Sequence, residues 1–292
     1  MSIQMKTFLK SKRHLLGNFS KSLLGGFMFG AAQHMYRLFN SQEYRYLSVC
    51  RLKYAFVERY QETKVKFCQR EREISVPDIA SFLSMYEEIY FNKIYQIPLE
   101  PTKILDLGAN IGLSILWLKK HYPHAEIIGY EADKNIFKYL QKNVEGLPGV
   151  KLHNEAVWHK DAELSFSSEG ADGGRIDDGA KNDDCQVKAI DIRRVLRDEG
   201  PFSFIKMDIE SAESSVLPAC RGLLDKTDFV FCEYHAVEGD PQNLDEILNV
   251  LREEGFRIHI QSVNTSKQPF MFRKKQAGFD MQLNIFGWKD EK

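Results

Sequence analysis

From Lys103 onward the chain alternates between two hydrophobic rhythms. Short runs of apolar and β-branched residues near 103–107, 126–131, 150–157, 202–208, 228–234, 256–261 and 282–288 read as strands. Between most of them, apolar positions three and four apart predict helices near 111–121, 133–144, 211–224 and 243–254. Helices between successive short strands imply crossover units and a mostly parallel sheet. No helical pattern separates the last two strands, so an antiparallel final pair is expected. The fold class is therefore α/β.

Residues 1–98 read as helical. Apolar residues recur at helical spacing through Met35, Leu38 and Phe39, then Tyr46, Val49 and Cys50. Asp78 is placed to cap a helix that carries Phe82, Met85, Tyr86 and Ile89. Pro98 and Pro101 punctuate the chain, because a residue before proline avoids the helical region. The organisation expected is a helical N-terminal extension, 1–98, and an α/β domain, 99–292. Within that domain the stretch 165–184 is rich in Gly, Asp and Asn and too polar to pack. It reads as the tip of an inserted hairpin at about 161–190, with 163–167 pairing to 186–190, and serves as a lid or as a plain surface loop.

Charge adds one asymmetry. The net charge is −1, but residues 1–75 carry +9 and the rest −10. Such a split suits contact with acidic lipid or nucleic acid, and equally a solvated helical surface. The five cysteines are odd in number and not spaced as zinc ligands, which argues against a disulfide framework and for a reducing, cytoplasmic setting. Asn18 and Lys21 interrupt the apolar stretch 15–32, so neither a spanning helix nor a signal peptide is expected.

The candidate chemistry begins at ILDLGANIG, residues 104–112. An apolar strand carries Asp106 near its end, turns on Gly108 and Gly112, and enters a helix, bringing backbone N–H groups towards a ligand. A dinucleotide fingerprint needs glycine at 108, 110 and 113; Asn110 and Leu113 stand at the last two, so a pyrophosphate is a poor fit. Ligands of open α/β sheets lie outside the carboxyl ends of the strands. The second strand ends in Tyr130-Glu131-Ala132-Asp133, and Glu131 follows Gly112 by 19 residues, about the interval at which an acid meets a ribose. Asp133 reads as a helix cap. The fourth strand runs into Asp208 and Glu210, and the fifth into Glu233 and His235, two residues apart and hence on one face. Charged residues at the ends of apolar strands have no packing rationale. Glu233 and His235 can bind a hydroxylated substrate or take its proton. No metal is assigned, although Asp208 and Glu233 on neighbouring strands can also be read as Mg²⁺ ligands.

The D-x-G-x-x-x-G spacing resembles motif I of class I S-adenosylmethionine (SAM) methyltransferases. Together with Tyr130-Glu131, HNEAV (153–157), IKMDIESAESSVL (205–217) and CEYH (232–235), it resembles the FkbM family of these enzymes over about residues 90–288. The resemblance implies a Rossmann-like, seven-stranded, mostly parallel sheet with helices on both faces. It implies SAM as cofactor, bound by Asp106, Gly108, Asn110, Gly112, Glu131, Ala132, Glu155 and Ala156, the last two against the adenine. It implies O-methylation of a hydroxyl on a small metabolite, sugar or polysaccharide precursor. Asp208, Glu233 and His235 are then the catalytic candidates, with Glu233 or His235 as base and Asp208 orienting substrate or the cofactor's amino end. One position departs from the family: Ser211 stands where glycine is usual, and is expected to cap the following helix.

Rival readings are weaker. Methyltransferases acting on base amines need an Asn/Asp-Pro-Pro-aromatic run after strand four, and cytosine carbon enzymes a Pro-Cys; neither is present at 208–211. The expected partner is a small-molecule or saccharide acceptor. RNA enters only as an alternative, through phosphate contacts of the basic N-terminal segment. A non-catalytic scaffold has no reason to keep the acidic strand ends. Leu15, Leu16, Phe19 and their neighbours among Lys10, Lys12, Arg13 and Lys21 suit a membrane-surface helix, docking on the domain, or contact with a second subunit.

Overall fold

The structure is a computed structural model and describes residues 23–67, 72–167, 175–176, 186–263, 268–272 and 278–290. The chain divides into two compact units, residues 1–56 and 57–292. In the first, α1 (Leu23–Asn40) and α2 (Gln42–Lys53) meet at Ser41, whose hydroxyl accepts from Tyr44 N and caps α2. The helices appear where expected, but the buried stripe differs. Tyr44, Leu47 and Cys50 are buried, while Met35, Phe39 and Val49 stay exposed. The apolar stretch read as a membrane-surface helix lies mostly outside the described residues. No described helix is long and apolar enough to cross a membrane.

The second unit corrects the all-helical reading of 1–98. Strands β1 (Thr63–Phe67) and β2 (Arg72–Val76) form an antiparallel pair. α3 (Ile79–Tyr86) follows, capped by Asp78 as expected, and continues into a π-helical turn, Glu87–Phe91. The strand pair is fastened to the sheet domain by buried Asn143, whose Oδ1 accepts from Ser75 N and whose Nδ2 donates to Ser75 O. Residues 57–98 thus share one compact unit with the sheet.

The main sheet contains β3 (Lys103–Leu107), β4 (Glu126–Tyr130), β5 (Val150–His153), β10 (Phe204–Met207), β11 (Phe229–Val237), β12 (Arg257–Ser262) and β13 (Phe279–Trp288), in the order β12-β13-β11-β10-β3-β4-β5. β13 runs antiparallel to β11 and β12, and the other pairings are parallel. This is the seven-stranded arrangement the resemblance implied. Helices α4 (Leu113–His121), α5 (Lys134–Val144), α7 (Glu213–Ala219) and α8 (Leu244–Glu253) occupy the expected crossovers. Apolar strands and amphipathic helices close around Leu105, Leu107, Ile205, Val216, Val230 and Ile285, all nearly inaccessible.

Two local differences shape the site. The expected strand 150–157 breaks at Asn154-Glu155, and β6 (Ala156–Trp158) leaves the main sheet for a small second one. The inserted hairpin forms as expected, β7 (Ala162–Ser167) antiparallel to β9 (Gln186–Asp191), with β8 (Arg175–Ile176) added on β7. A helix absent from the sequence reading, α6 (Ile192–Asp198), follows at once and is capped by Asp191. Most of the polar stretch 165–184 lies outside the described residues.

Candidate active site

One cavity opens at the carboxyl ends of β3, β4, β10 and β11. It gathers Gly108, Asn110, Glu131, Ala132, Glu155, Ala156, Asp208, Glu233 and His235, nine of the residues singled out from the sequence. Asp106 and Gly112 do not line it, for separate physical reasons.

Asp106 is fully buried, accepts from Ser114 Oγ at 2.5 Å and lies 3.1 Å from Lys206 Nζ. It anchors the turn from beneath. Gly112 sits at the start of α4 with φ +89°, and a Cβ there would come within 2.7 Å of Val144 and 2.9 Å of Leu140. Its lack of a side chain lets α4 pack on α5. The amide picture also changes. Gly108 N and Ala109 N both donate to Tyr130 O, Asn110 N to Glu131 Oε2, Ile111 N to Asn110 Oδ1, and Gly112 N to Ala109 O. The turn's amides are spent inside the protein, so they are not bare donors. Gly108 is required because a Cβ there would meet Asp208 O at 1.8 Å. That glycine admits the end of β10 (close backbone approach, not ligand approach).

Glu131 is held rigidly. One carboxylate oxygen accepts from Asn110 N at 2.9 Å and the other from Asp133 N at 2.8 Å. Burial pushes its pKa up to about 7; those two N–H bonds and Lys206 oppose the rise, and Asp133 adds to it. Asp133 itself caps α5 through Asn135 N and Ile136 N, the role expected of it. Each Glu131 oxygen keeps a lone pair for a ligand. Glu155, at the break between β5 and β6, is paired with Lys188 of the inserted hairpin, with His153 at 3.9 Å. Lys188 is therefore a neighbour of this subsite that no local sequence signal singles out.

At the other end, Asp208, Glu210, Glu233 and His235 converge. His235 Nδ1 donates to Glu213 Oε1 at 3.2 Å, and Nε2 lies 3.6 Å from Glu233 and 3.8 Å from Glu210. Burial disfavours the imidazolium, but Glu213, Glu210 and Glu233 outweigh it, so His235 holds its proton well above the ordinary histidine range. Burial and the Asp208 charge push Glu233 up, against the pull of His235. Lys206, between Asp106 and Asp208, stays charged: its burial is overcome by those two carboxylates. Ser211 does not cap α7. It adopts φ +85° beside Glu210 at φ +51°, and Glu213 receives Ile209 N instead.

Sequence reasoning missed Lys206, Glu213, Glu88 and Tyr95. Lys206 was legible as a charge inside an apolar strand, and Glu213 as one acid among several in the next helix. Glu88 and Tyr95 line the cavity from the segment read as a separate extension. Burial raises Glu88's pKa, opposed by an Asn284 hydrogen bond of 2.8 Å. Tyr95 is 4% exposed, packs its ring on Phe231, and its hydroxyl has no hydrogen-bond partner among the described residues.

The profile of the methyltransferase FkbM domain matches residues 106–258, which is more than half of the chain. The chain belongs to the FkbM methyltransferase family. It is 26% identical over 209 residues to Methyltransferase 1 of Beauveria bassiana, covering 61% of this chain and 82% of that protein. Over 72 residues it is 38% identical to methyltransferase sdnD of Sordaria araneosa, covering 23% of this chain and 28% of that one. The solved structure of methyltransferase FkbM from Methylobacillus flagellatus aligns with a TM-score of 0.44 at 15% identity, over 71% of this chain and 53% of that one, so the alignment spans about half that structure's length. The strand ends that converge on the cavity from β3, β4, β10 and β11 all fall within the matched FkbM region. Glu88 and Tyr95 precede it, and Gln282, also at the cavity wall, follows it.

Proposed function

We propose that this FkbM methyltransferase uses S-adenosylmethionine to methylate a hydroxyl of a small metabolite or saccharide precursor. The observation that carries the reading is Glu131: a half-buried carboxylate, fixed by two backbone N–H groups, with lone pairs left for a ribose diol. The donor set fits a nucleoside on that side. Glu131 takes the sugar hydroxyls, and Glu155 with Ala156 N–H faces the adenine. When bound, the sulfonium supplies an electrophilic methyl.

The chain's own residues handle the acceptor. A hydroxyl is a weak nucleophile at neutral pH and must be aligned and relieved of its proton. Glu233, buried and with its pKa raised by that burial and by the Asp208 charge, is the carboxylate proposed to accept that proton. His235, protonated and held by Glu213, donates a hydrogen bond rather than acting as the base. Asp208, at the mouth of β10, orients the acceptor. A test supplies methyl-labelled SAM with a panel of neutral polyols, glycosides and phenols. A methyl ether product and a loss of roughly 10²-fold or more in kcat for Glu233→Gln support the reading. Methylation only of nitrogen or carbon acceptors overturns it.

A further inference from the structure

The acceptor end of the cavity holds more carboxylate than its cations neutralise. Glu88, Asp208, Glu210 and Glu233 line it, and Glu213 lies fully buried behind His235. The facing cations are Lys206 and His235, and Lys206 is already engaged by Asp106 at 3.1 Å. Carboxylates gathered in a protein interior are costly unless positive charge joins them.

Three of these groups are grouped as ligands are. One oxygen of Asp208, one of Glu233 and a ring nitrogen of His235 lie within 4.8 Å of one another. Donors around an octahedral cation with bonds near 2.1 Å sit roughly 3–4 Å apart, so a small contraction completes the set. Glu213 holds Nδ1, which leaves Nε2 towards the carboxylates; a cation bound there takes the place of the Nε2 proton, which goes to solvent. A carboxylate on one ring nitrogen is the usual device for orienting a metal-binding imidazole. An independent observation comes from another segment. Tyr95 is 4% exposed, lines the same cavity, and its hydroxyl has no hydrogen-bond partner among the described residues. A hydroxyl on the cavity wall with no hydrogen bond to the protein is placed to meet a water or ligand atom.

We infer that Asp208, Glu233 and His235 bind a divalent cation, with Glu213 as the residue that positions the imidazole. Two oxygens and one nitrogen lie between the oxygen-only sites of Mg²⁺ and the nitrogen-rich sites of Zn²⁺, which favours Mn²⁺. Three protein donors leave positions for water and for an acceptor oxygen, whose pKa a bound cation lowers. The last point rests on the proposed methyl transfer; the cation site itself does not.

The test uses the full chain, stripped with chelator and free of SAM. Mn²⁺ is added below stoichiometry, and the electron paramagnetic resonance signal of the free aqueous ion is followed. The signal should fall in the wild type. Asp208→Asn and Glu233→Gln should each weaken binding at least about tenfold, and Glu213→Gln by about 10–100-fold. Asp208, with a side chain 26% exposed at a strand end, is the substitution least disturbing to the fold. Mn²⁺ left free by the wild type, or bound equally by wild type and by Asp208→Asn and Glu233→Gln, overturns the site. Because no SAM is present, a chain that binds SAM but not Mn²⁺ defeats this inference alone.

Discussion

Lys206 and Asp106 are direct partners in the parallel register of β10 and β3, and their charged ends meet at 3.1 Å with side chains only 3% and 0% exposed. The same ammonium donates to Gly108 O at 2.5 Å and approaches Asp208 at 3.6 Å. One buried cation therefore ties the first turn of the cavity to the end of β10. Asp106, expected at the ligand, forms the foundation on which the ligand-facing turn rests.

Removing that cation should be severe. Lys206→Met leaves a buried carboxylate uncompensated, and the expected loss in unfolding free energy is about 3–5 kcal/mol. Asp106→Asn combined with Lys206→Met should cost less than the two single losses summed, because the pair acts as a unit. Urea unfolding of the three variants measures both; a single loss below about 1 kcal/mol would show the pair is dispensable.

Ser211 explains the family's glycine. Its φ of +85° is a region that a side chain resists, so the glycine usual at this position reflects backbone geometry. Ser211→Gly should raise stability by about 1 kcal/mol, less the extra freedom glycine gains when unfolded. Chemical denaturation decides; destabilisation by the substitution would mean the serine side chain holds the turn.

Glu131 should leave a mark on pH dependence. Its pKa rises from 4.5 to about 7 on folding, so between those values the folded chain retains a proton that the unfolded chain has shed. The group's contribution is then most favourable below pH 4.5 and declines as pH rises through 7. Relative to wild type, Glu131→Gln should gain up to about 3 kcal/mol across that window, set against its lost backbone hydrogen bond. Paired melting curves across the window read the difference; parallel pH profiles would exclude the shift.

The strand and helix positions and the ligand end of the sheet were legible because period-two and period-3.6 patterns are local properties of the chain. The hairpin β1–β2 was not, since Thr63–Phe67 and Arg72–Val76 are short, charged, and stabilised by distant Asn143. Glu131, Glu233 and His235 stood out as charges ending apolar strands. The amides of 108–112 were misjudged because Tyr130 O and the Glu131 carboxylate, which take three of them, lie on another strand. Glu88 and Tyr95 carried no local signal; only the packing of the preceding segment brings them to the cavity.

The most direct measurement is a calorimetric titration of SAM into wild type and Glu131→Gln at pH values on either side of 7. SAM should bind the wild type, more tightly as Glu131 ionises with rising pH, and Glu131→Gln should weaken binding by about tenfold or more while losing that pH dependence. No binding at millimolar SAM, or equal affinity in the two proteins at every pH, would contradict the assignment of the cavity to the nucleoside.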